Sequence, residues 1–274
     1  MYNENLLNEK LLKDSFYKKD KTKLITLQDK LKWLNVNNLT QQKIDCADKI
    51  LVKKYAKSIL NQDICAVTYK IYDSFEDINL DELPNKFILK INNGCAKNIF
   101  CFDKQSFNLN KYKENINKWF KLIPGINTRE YQYVGITPKL FAEELLINNK
   151  NESLIDYRFW CFNNKIQFIA INSDHGWGGQ YFVDTKFTRL DIYNKAHLAE
   201  EGNLPFNKPE NFDIMIEYVE KLSKPFKFVR VDMYNKNSKI YLGEMTFSPG
   251  GYCFDFNDKN GNSLNEKYGN LLII

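Results

Sequence analysis

Histidine is nearly absent from this chain, with two in 274 residues. The six cysteines, Cys46, Cys65, Cys95, Cys101, Cys161 and Cys253, form no C-x-x-C pair. These two shortages exclude the usual zinc spacings. Reduced, mostly buried thiols are the expectation. No apolar run reaches the length of a bilayer span. The start, MYNENLLNEKLLKD, lacks a basic stretch followed by an apolar core, so no secretory signal is expected. The expected location is cytoplasmic, with work at the inner face of a membrane still open. No internal repeat or low-complexity linker divides the chain.

What is present is ample core material, 43% hydrophobic and 15% aromatic residues, enough for one large domain or two small ones. The net charge of +5 suits an anionic partner such as a nucleotide or an acidic glycan. The joint excess of Lys, Asn and Ile also follows from an AT-rich gene, which lowers the weight of that charge.

Residues 1 to about 60 read as helical, with Leu6, Leu7, Leu11 and Leu12, then Leu27, Leu31 and Leu34, at helical spacing. Asp45 to Leu60 reads as one longer helix. Opposite its apolar side lie Lys49, Lys53, Lys54 and Lys57, a solvated face or a source of one phosphate contact. Asp73 to Asp77 reads as a short capped helix. Strands are expected at Lys86–Ile91 and Ile99–Phe102, around the turn NNGCAKN, whose backbone N–H groups could cover phosphates or close an ordinary hairpin. Leu109–Lys121 reads as a helix, 126–137 as an irregular loop, Lys139–Leu146 as a strand and Asn148–Glu152 as a loop. Leu154–Phe162 and Lys165–Asn172 form a hairpin around Asn163-Asn164. Asp156 and Arg158 share one of its faces, as a surface pair or as part of a site. His175, in the polar loop SDHGWGG, is an acid–base candidate or an idle loop histidine.

The chain is organised around Phe226–Gly250, FKFVRVDMYNKNSKIYLGEMTFSPG, which reads as two strands and a polar turn. With residues 235 to 239 as the loop, Tyr234 lies opposite Ile240 and Arg230 opposite Glu244. Asp232 is then the diagonal neighbour of Glu244. By itself this is a surface ribbon with a cross-strand salt bridge, or a magnesium site of few carboxylates completed by phosphates and water.

Taken in order, DKILVKKYA, YDSFEDINLDELPNKFILKINNG, FAEELL, DYRFWCFNNKIQFI and the closing hairpin resemble the ATP-grasp superfamily. The likeness is greatest to its TupA-like branch, named for teichuronopeptide synthesis and found in surface-polysaccharide loci. It runs from about Lys32 to Phe256. It implies an α+β fold in which two α+β subdomains with antiparallel sheets clasp ATP, behind an N-terminal helical segment. The implied divisions are 1–63, 64–146 for nucleotide clamping and 147–274 for catalysis and metal binding. Carried over by position, Lys53 and Lys90 hold phosphates, Gly94 belongs to the covering loop, and Glu143, Glu144 and Leu146 form the adenine-reading hinge. Asp156 and Arg158 lie in the catalytic cleft. Arg230 stabilises phosphate charge, and Asp232 and Glu244 ligate magnesium.

The sequence departs from the family at four places. The covering loop is poorer in glycine and serine than usual. Lys53 stands where an arginine is expected, which keeps charge and loses a bidentate contact. Thr246 replaces a common asparagine ligand, as this branch tolerates. His175 to Gln180 lacks the expected basic residues.

The resemblance implies an ATP- and Mg2+-dependent carboxylate–amine ligase working through an acyl phosphate in capsule or other surface-polysaccharide synthesis. The implied partners are a carboxylate-bearing sugar or glycan, of uronic-acid type, and a small amine or amino acid, with no nucleic acid. A glycosyltransferase or other transferase of the same pathways is the rival, and the chain has no D-x-D for holding a nucleotide sugar. A non-catalytic glycan- or nucleotide-binding relative is the third reading.

Overall fold

The computed structural model of the protein describes residues 4–147, 154–172, 180–194 and 207–274. His175 and the Asn148–Glu152 loop lie outside the described residues.

Four helices open the chain: α1 (Glu4–Lys13), α2 (Leu27–Asn37), α3 (Gln41–Ala47) and α4 (Leu51–Leu60). The starts of α2, α3 and α4 are set by side chains that accept otherwise orphaned N–H groups. Thr26 Oγ1 accepts from Asp29 N at 3.2 Å, and Thr40 Oγ1 from Lys43 N at 3.3 Å. Asp48 Oδ1 accepts from Ile50 N and Leu51 N at 2.7 and 3.2 Å. That last cap divides the expected single helix over Asp45–Leu60 into α3 and α4.

The first sheet contains β1 (Thr68–Tyr72), β2 (Phe87–Ile91), β3 (Asn98–Cys101) and β4 (Leu140–Glu143), antiparallel in the order β1-β4-β2-β3. Its covered face packs Phe87, Leu89, Leu140 and Ala142 against Ile116 of α5 (Lys113–Lys121). Asp73 to Asp77 is a bend and turn, where a capped helix was expected. The Asp77 carboxylate accepts from Ser74 N at 2.8 Å and closes the turn on itself. Within 126–137, expected to be irregular, α6 (Tyr131–Val134) forms one buried turn.

The second sheet holds β5 (Asp156–Phe162), β6 (Lys165–Asn172), β7 (Gln180–Val183), β9 (Phe228–Lys236) and β10 (Lys239–Thr246), antiparallel in the order β10-β9-β5-β6-β7. The pair β8 (Tyr193–Asn194) and β11 (Phe256–Asn257), then α7 (Phe212–Ser223) and α8 (Asn265–Leu271), complete it. One face of this sheet, Tyr157, Phe159, Val229, Val231 and Met233, is covered by α7 and by Val52 and Ala56 of α4. The opposite face is apolar at one end, where Trp160 and Phe162 pack on Leu27, Leu31 and Leu34 of α2. At its other end it presents Asp156 and Arg158. The N-terminal helices are therefore part of the second sheet's core.

The organising hairpin differs from its expected register. Its turn is the two residues Asn237 and Ser238, at φ 51° and 59°. Two left-handed residues make the short turn whose twist matches antiparallel strands. Tyr234 lies opposite Tyr241, Arg230 opposite Thr246 and Asp232 opposite Glu244. The short turn alone would pair Glu244 with Val231 and send it to the covered face. A bulge between Leu242 and Glu244, at Gly243, moves the register by one residue and returns Glu244 to the face of Asp232. Only glycine fits there, because a Cβ would lie 2.7 Å from Tyr234 Cε2 and 3.2 Å from the Asp232 carbonyl. Gly243→Ala is expected to lower stability by about 1–3 kcal/mol, as an overpacked substitution does. A urea unfolding midpoint equal to wild type would remove this account of the bulge.

Candidate functional site

A cavity of about 180 Å³ lies between the two sheets. Lys49, Lys53, Lys90, Glu143 and the loop 94–98 line one side, and Asp156, Arg158, Asp232 and Glu244 line the other.

On the first side Glu143 ends β4 and is 6% exposed. Its Oε1 accepts from Lys53 Nζ at 2.5 Å and its Oε2 from Lys90 Nζ at 2.7 Å. Lys53 Nζ also donates to the Ala66 carbonyl at 2.8 Å and to Thr68 Oγ1 at 2.6 Å. One carboxylate thus holds two ammonium groups at the cavity wall. Glu144 and Leu146, whose side chains alternate away from Glu143, line a neighbouring cavity of about 230 Å³ with Ile88, Phe100 and Tyr234. The three hinge candidates are therefore shared between two adjoining spaces, with Lys90 lining both.

Gly94 sits at φ +81° in the loop between β2 and β3. The base of this loop is fixed by buried Asn92, which donates to Asp48 Oδ2 at 2.7 Å and accepts from Lys139 N at 2.8 Å. Lys49 Nζ donates to the Gly94 carbonyl and lies 3.7 Å from Glu244 Oε2. It joins the loop to the opposite wall. In the sequence Lys49 is one of four lysines expected to form a solvated face or to supply one phosphate contact.

On the second side the strands β10, β9 and β5 bring Glu244, Asp232 and Arg158 into one row across the sheet. Arg230 Nε donates to Asp232 Oδ1 at 2.7 Å and its Nη2 to Asp232 Oδ2 at 2.5 Å. The same Nη2 reaches Glu244 Oε1 at 3.0 Å and Thr246 Oγ1 at 3.3 Å. Arg158 Nε donates to Asp156 Oδ2 at 2.7 Å and lies 4.0 Å from Asp232 Oδ2. Asp156 Oδ1 is buried and has no hydrogen-bond partner among the described residues. Burial pushes the Asp232 carboxyl up to about 7; Arg230 pulls against this, and Asp156 and Glu244 add to it. Burial also raises Asp156, against the pull of Arg158 and Arg230. Glu244 is the opposite case. Burial would raise it, but Lys49 and Arg230 hold it at about 2.

Among the described residues no three His, Cys, Asp or Glu side chains group as a metal cage. Asp232 and Glu244, facing each other on paired strands, fit an ion that needs few protein carboxylates and takes its other ligands from phosphate and water. Of the site candidates from the sequence, Lys53, Lys90, Gly94, Glu143, Asp156, Arg158, Asp232 and Glu244 border the first cavity, Glu144 and Leu146 border the second, and Arg230 lies behind Asp232 and Glu244, lining neither.

The family model for TupA-like ATP-grasp proteins matches residues 29–270. Among solved structures the chain is similar to D-alanine–D-alanine ligase from Bacillus anthracis complexed with ATP, at 17% identity and TM-score 0.44, covering 80% of this chain and 56% of that one. The corresponding ligase from Helicobacter pylori gives 14%, 0.43, 83% and 61%. The L-amino acid ligase from Bacillus licheniformis gives 11%, 0.45, 82% and 47%. The chain spans less than two thirds of the length of each. No curated protein matches it.

Two tests follow from this geometry. Glu143→Leu strands two partly buried ammonium groups and is expected to cost about 3–5 kcal/mol in chemical unfolding, as removal of one partner of a buried ion pair does; a loss below about 1 kcal/mol, typical of exposed pairs, would contradict the clamp. The folded pKa of Glu244 lies below its ordinary 4.5. Its stabilising contribution is therefore present above pH 4.5 and lost as pH falls towards about 2. The stability gap between wild type and Glu244→Gln should close over that window, and a gap that stays constant down to the lower end of it argues against the ion pairing.

Proposed function

This chain belongs to the TupA-like ATP-grasp family, matched over residues 29–270, and on that premise we propose that it joins a carboxylate to an amine using ATP. The observation that supports this reading most is the opposition of two charged walls across one cavity. Lys49, Lys53 and Lys90 face Arg158, Asp232 and Glu244. Such a space suits a polyphosphate on one side and its counter-charges on the other. In this reading residues 64–146 clamp the nucleotide and 147–274 carry the catalytic wall.

The adenine would enter the neighbouring cavity between Ile88, Phe100 and Leu146, with Glu144 and nearby backbone groups as polar partners. Phosphates would draw Lys53 and Lys90 from Glu143, exchanging one anion for another. Gly94, whose φ of +81° admits few other residues, would let the loop backbone approach them. Asp232 and Glu244 would hold magnesium, which supplies charge neutralisation on the transferring phosphoryl group.

The substrate carboxylate attacks the γ-phosphorus, and the bond to the β-phosphate oxygen breaks to release ADP. The amine then attacks the acyl carbon, phosphate leaves, and the nitrogen loses a proton to form the amide. Phosphoryl transfer asks the protein for alignment and charge stabilisation more than for covalent chemistry. Lys90 and Arg158 provide donors to the phosphoryl oxygens. Arg230, bonded to Asp232, Glu244 and Thr246, fixes the two carboxylates. The Oδ1 of Asp156, without a hydrogen-bond partner among the described residues and in a carboxyl raised by burial, would take the amine proton.

For the carboxylate we propose a uronic-acid-type sugar or glycan, for the nucleophile a small amine or amino acid, and for the setting cytoplasmic assembly of a surface polysaccharide. The resemblance to the TupA-like branch supports these. Among the described residues no helix is long and apolar enough to cross a membrane. The test is phosphate release from Mg-ATP that requires both a uronic acid and an amine. Glu244→Gln is expected to abolish turnover and leave the circular dichroism spectrum unchanged. Full activity in that variant sinks the metal assignment, and absence of nucleotide binding by calorimetry sinks the ligase reading.

A further inference from the structure

A row of buried side-chain amides leads away from the cleft, along the face of the second sheet that carries Asp156 and Arg158. Asn172 of β6 is the register partner of Asp156, and Gln180 of β7 is the partner of Asn172. Asn194 of β8 comes next. All three are 7–8% exposed. The facing amide ends of Asn172 and Gln180 are 2.9 Å apart, and those of Gln180 and Asn194 are 3.0 Å apart. The other end of Asn172 lies 2.8 and 3.0 Å from Nη1 and Nη2 of Arg158.

A guanidinium has only donors, so the Asn172 end that meets it is the oxygen. The Asn172 nitrogen then faces Gln180, which must answer with its oxygen. The Gln180 nitrogen in turn meets the Asn194 oxygen. The opposite polarity, with Gln180 donating to Asn172, would set the Asn172 nitrogen against the guanidinium. One cation therefore fixes the direction of three amides, and chains aligned this way strengthen link by link.

The row holds Arg158 from behind. Its Nε–H is taken by Asp156 and one N–H of each terminal nitrogen by Asn172. The remaining N–H groups belong to a side chain that lines the cavity and is 29% exposed. Arg230 is only 10% exposed and committed to Asp232, Glu244 and Thr246. We propose that Asn172, Gln180 and Asn194 are positioning residues that lock the plane of Arg158, so that its two remaining N–H groups, one on each terminal nitrogen, meet an incoming oxyanion, phosphoryl or carboxylate, in one orientation. The lock stands on the amide geometry alone; the identity of the oxyanion rests on the ligase reading.

The experiment is 15N–1H NMR of the arginine Nε–H groups in the full chain without nucleotide, with the Arg158 signal assigned by its loss in Arg158→Lys. Asn172→Leu is expected to speed exchange of the Arg158 Nε–H with water by about tenfold or more, the scale of a lost hydrogen bond to a charged group. Gln180→Leu removes no atom that bonds Arg158, yet should speed exchange in the same direction by a smaller factor. Asn172→Asp, which can still accept from both guanidinium nitrogens, should restore slow exchange. If Asn172→Leu does not fold, Gln180→Leu and Asn172→Asp carry the test. Wild-type exchange in Gln180→Leu would overturn the row as a unit, and fast exchange in Asn172→Asp would show a packing effect instead. These outcomes do not depend on ATP. Calorimetry with Mg-ATP on the same samples reports separately on the ligase reading.

Discussion

The structure turns on the Arg230 guanidinium, bonded at once to Asp232 and Glu244. Two carboxylates directly opposite each other on paired strands repel. Burial in a sheet makes each charge costlier still, by several kcal/mol per ion before compensation. The arginine between them is what allows both to stand on one face. Hydrophobic residues of similar volume would stabilise this position at least as well. A buried charge cluster at a cavity wall is therefore poorly explained by stability, which marks it as a candidate functional site.

That constraint reaches outward through the backbone. Glu244 shares a face with Asp232 only because Gly243 bulges, and Gly243 bulges against the Tyr234 ring. The two-residue turn at Asn237 and Ser238 sets the strands close, and the bulge corrects the parity the turn would impose. Across the cavity the same rule holds with the signs exchanged. Glu143 keeps Lys53 and Lys90 together as Arg230 keeps Asp232 and Glu244 together. Lys49 spans the two clusters, from the Gly94 carbonyl to within 3.7 Å of Glu244. Each wall is thus partly neutralised from within, with two ammonium groups on one carboxylate across from two carboxylates on one guanidinium, and charge is available to a ligand by exchange of partners with little new ordering of side chains.

Much of this was legible in the residues alone. Alternation gave the strands, and Arg230, Asp232 and Glu244 read as one cluster because strand neighbours two apart share a face. The ATP-grasp resemblance added Lys90 and Glu143. What the sequence hid were events of one residue. A five-residue loop and a two-residue turn plus a bulge have the same parity, so either puts Glu244 on the face of Asp232, though opposite different partners. Local side-chain competition also escaped it, as where Asp48 splits a helical pattern and Asp77 closes a turn. Long-range partners escaped it altogether: nothing near Asn172 in sequence points to Arg158, because the two meet only when β5 and β6 pair.

The segment before the family match shows how far the site's support extends. Residues 1–28 precede the matched region, yet Leu7 and Phe16 sit in the same apolar core as Phe159 and Val231. Asp14, whose side chain is 2% exposed, accepts from Arg129 Nε at 2.9 Å and from Tyr131 Oη at 2.7 Å. Arg129 pays for that contact with a left-handed backbone at φ 60°, an uncommon state for a residue with a side chain. The next residue, Glu130, accepts from Ser248 Oγ at 3.0 Å, and Gln132 Nε2 donates to the same Ser248 at 2.6 Å. Ser248 lies two residues beyond Thr246, the last residue of β10. The opening segment is therefore tied through four buried or half-buried polar contacts to the strand that carries Glu244. Polar groups at such depth are stable only when each has its partner. The N-terminal residues, the 129–132 turn and the end of β10 consequently hold one another in place, and the carboxylate wall inherits its rigidity from all three.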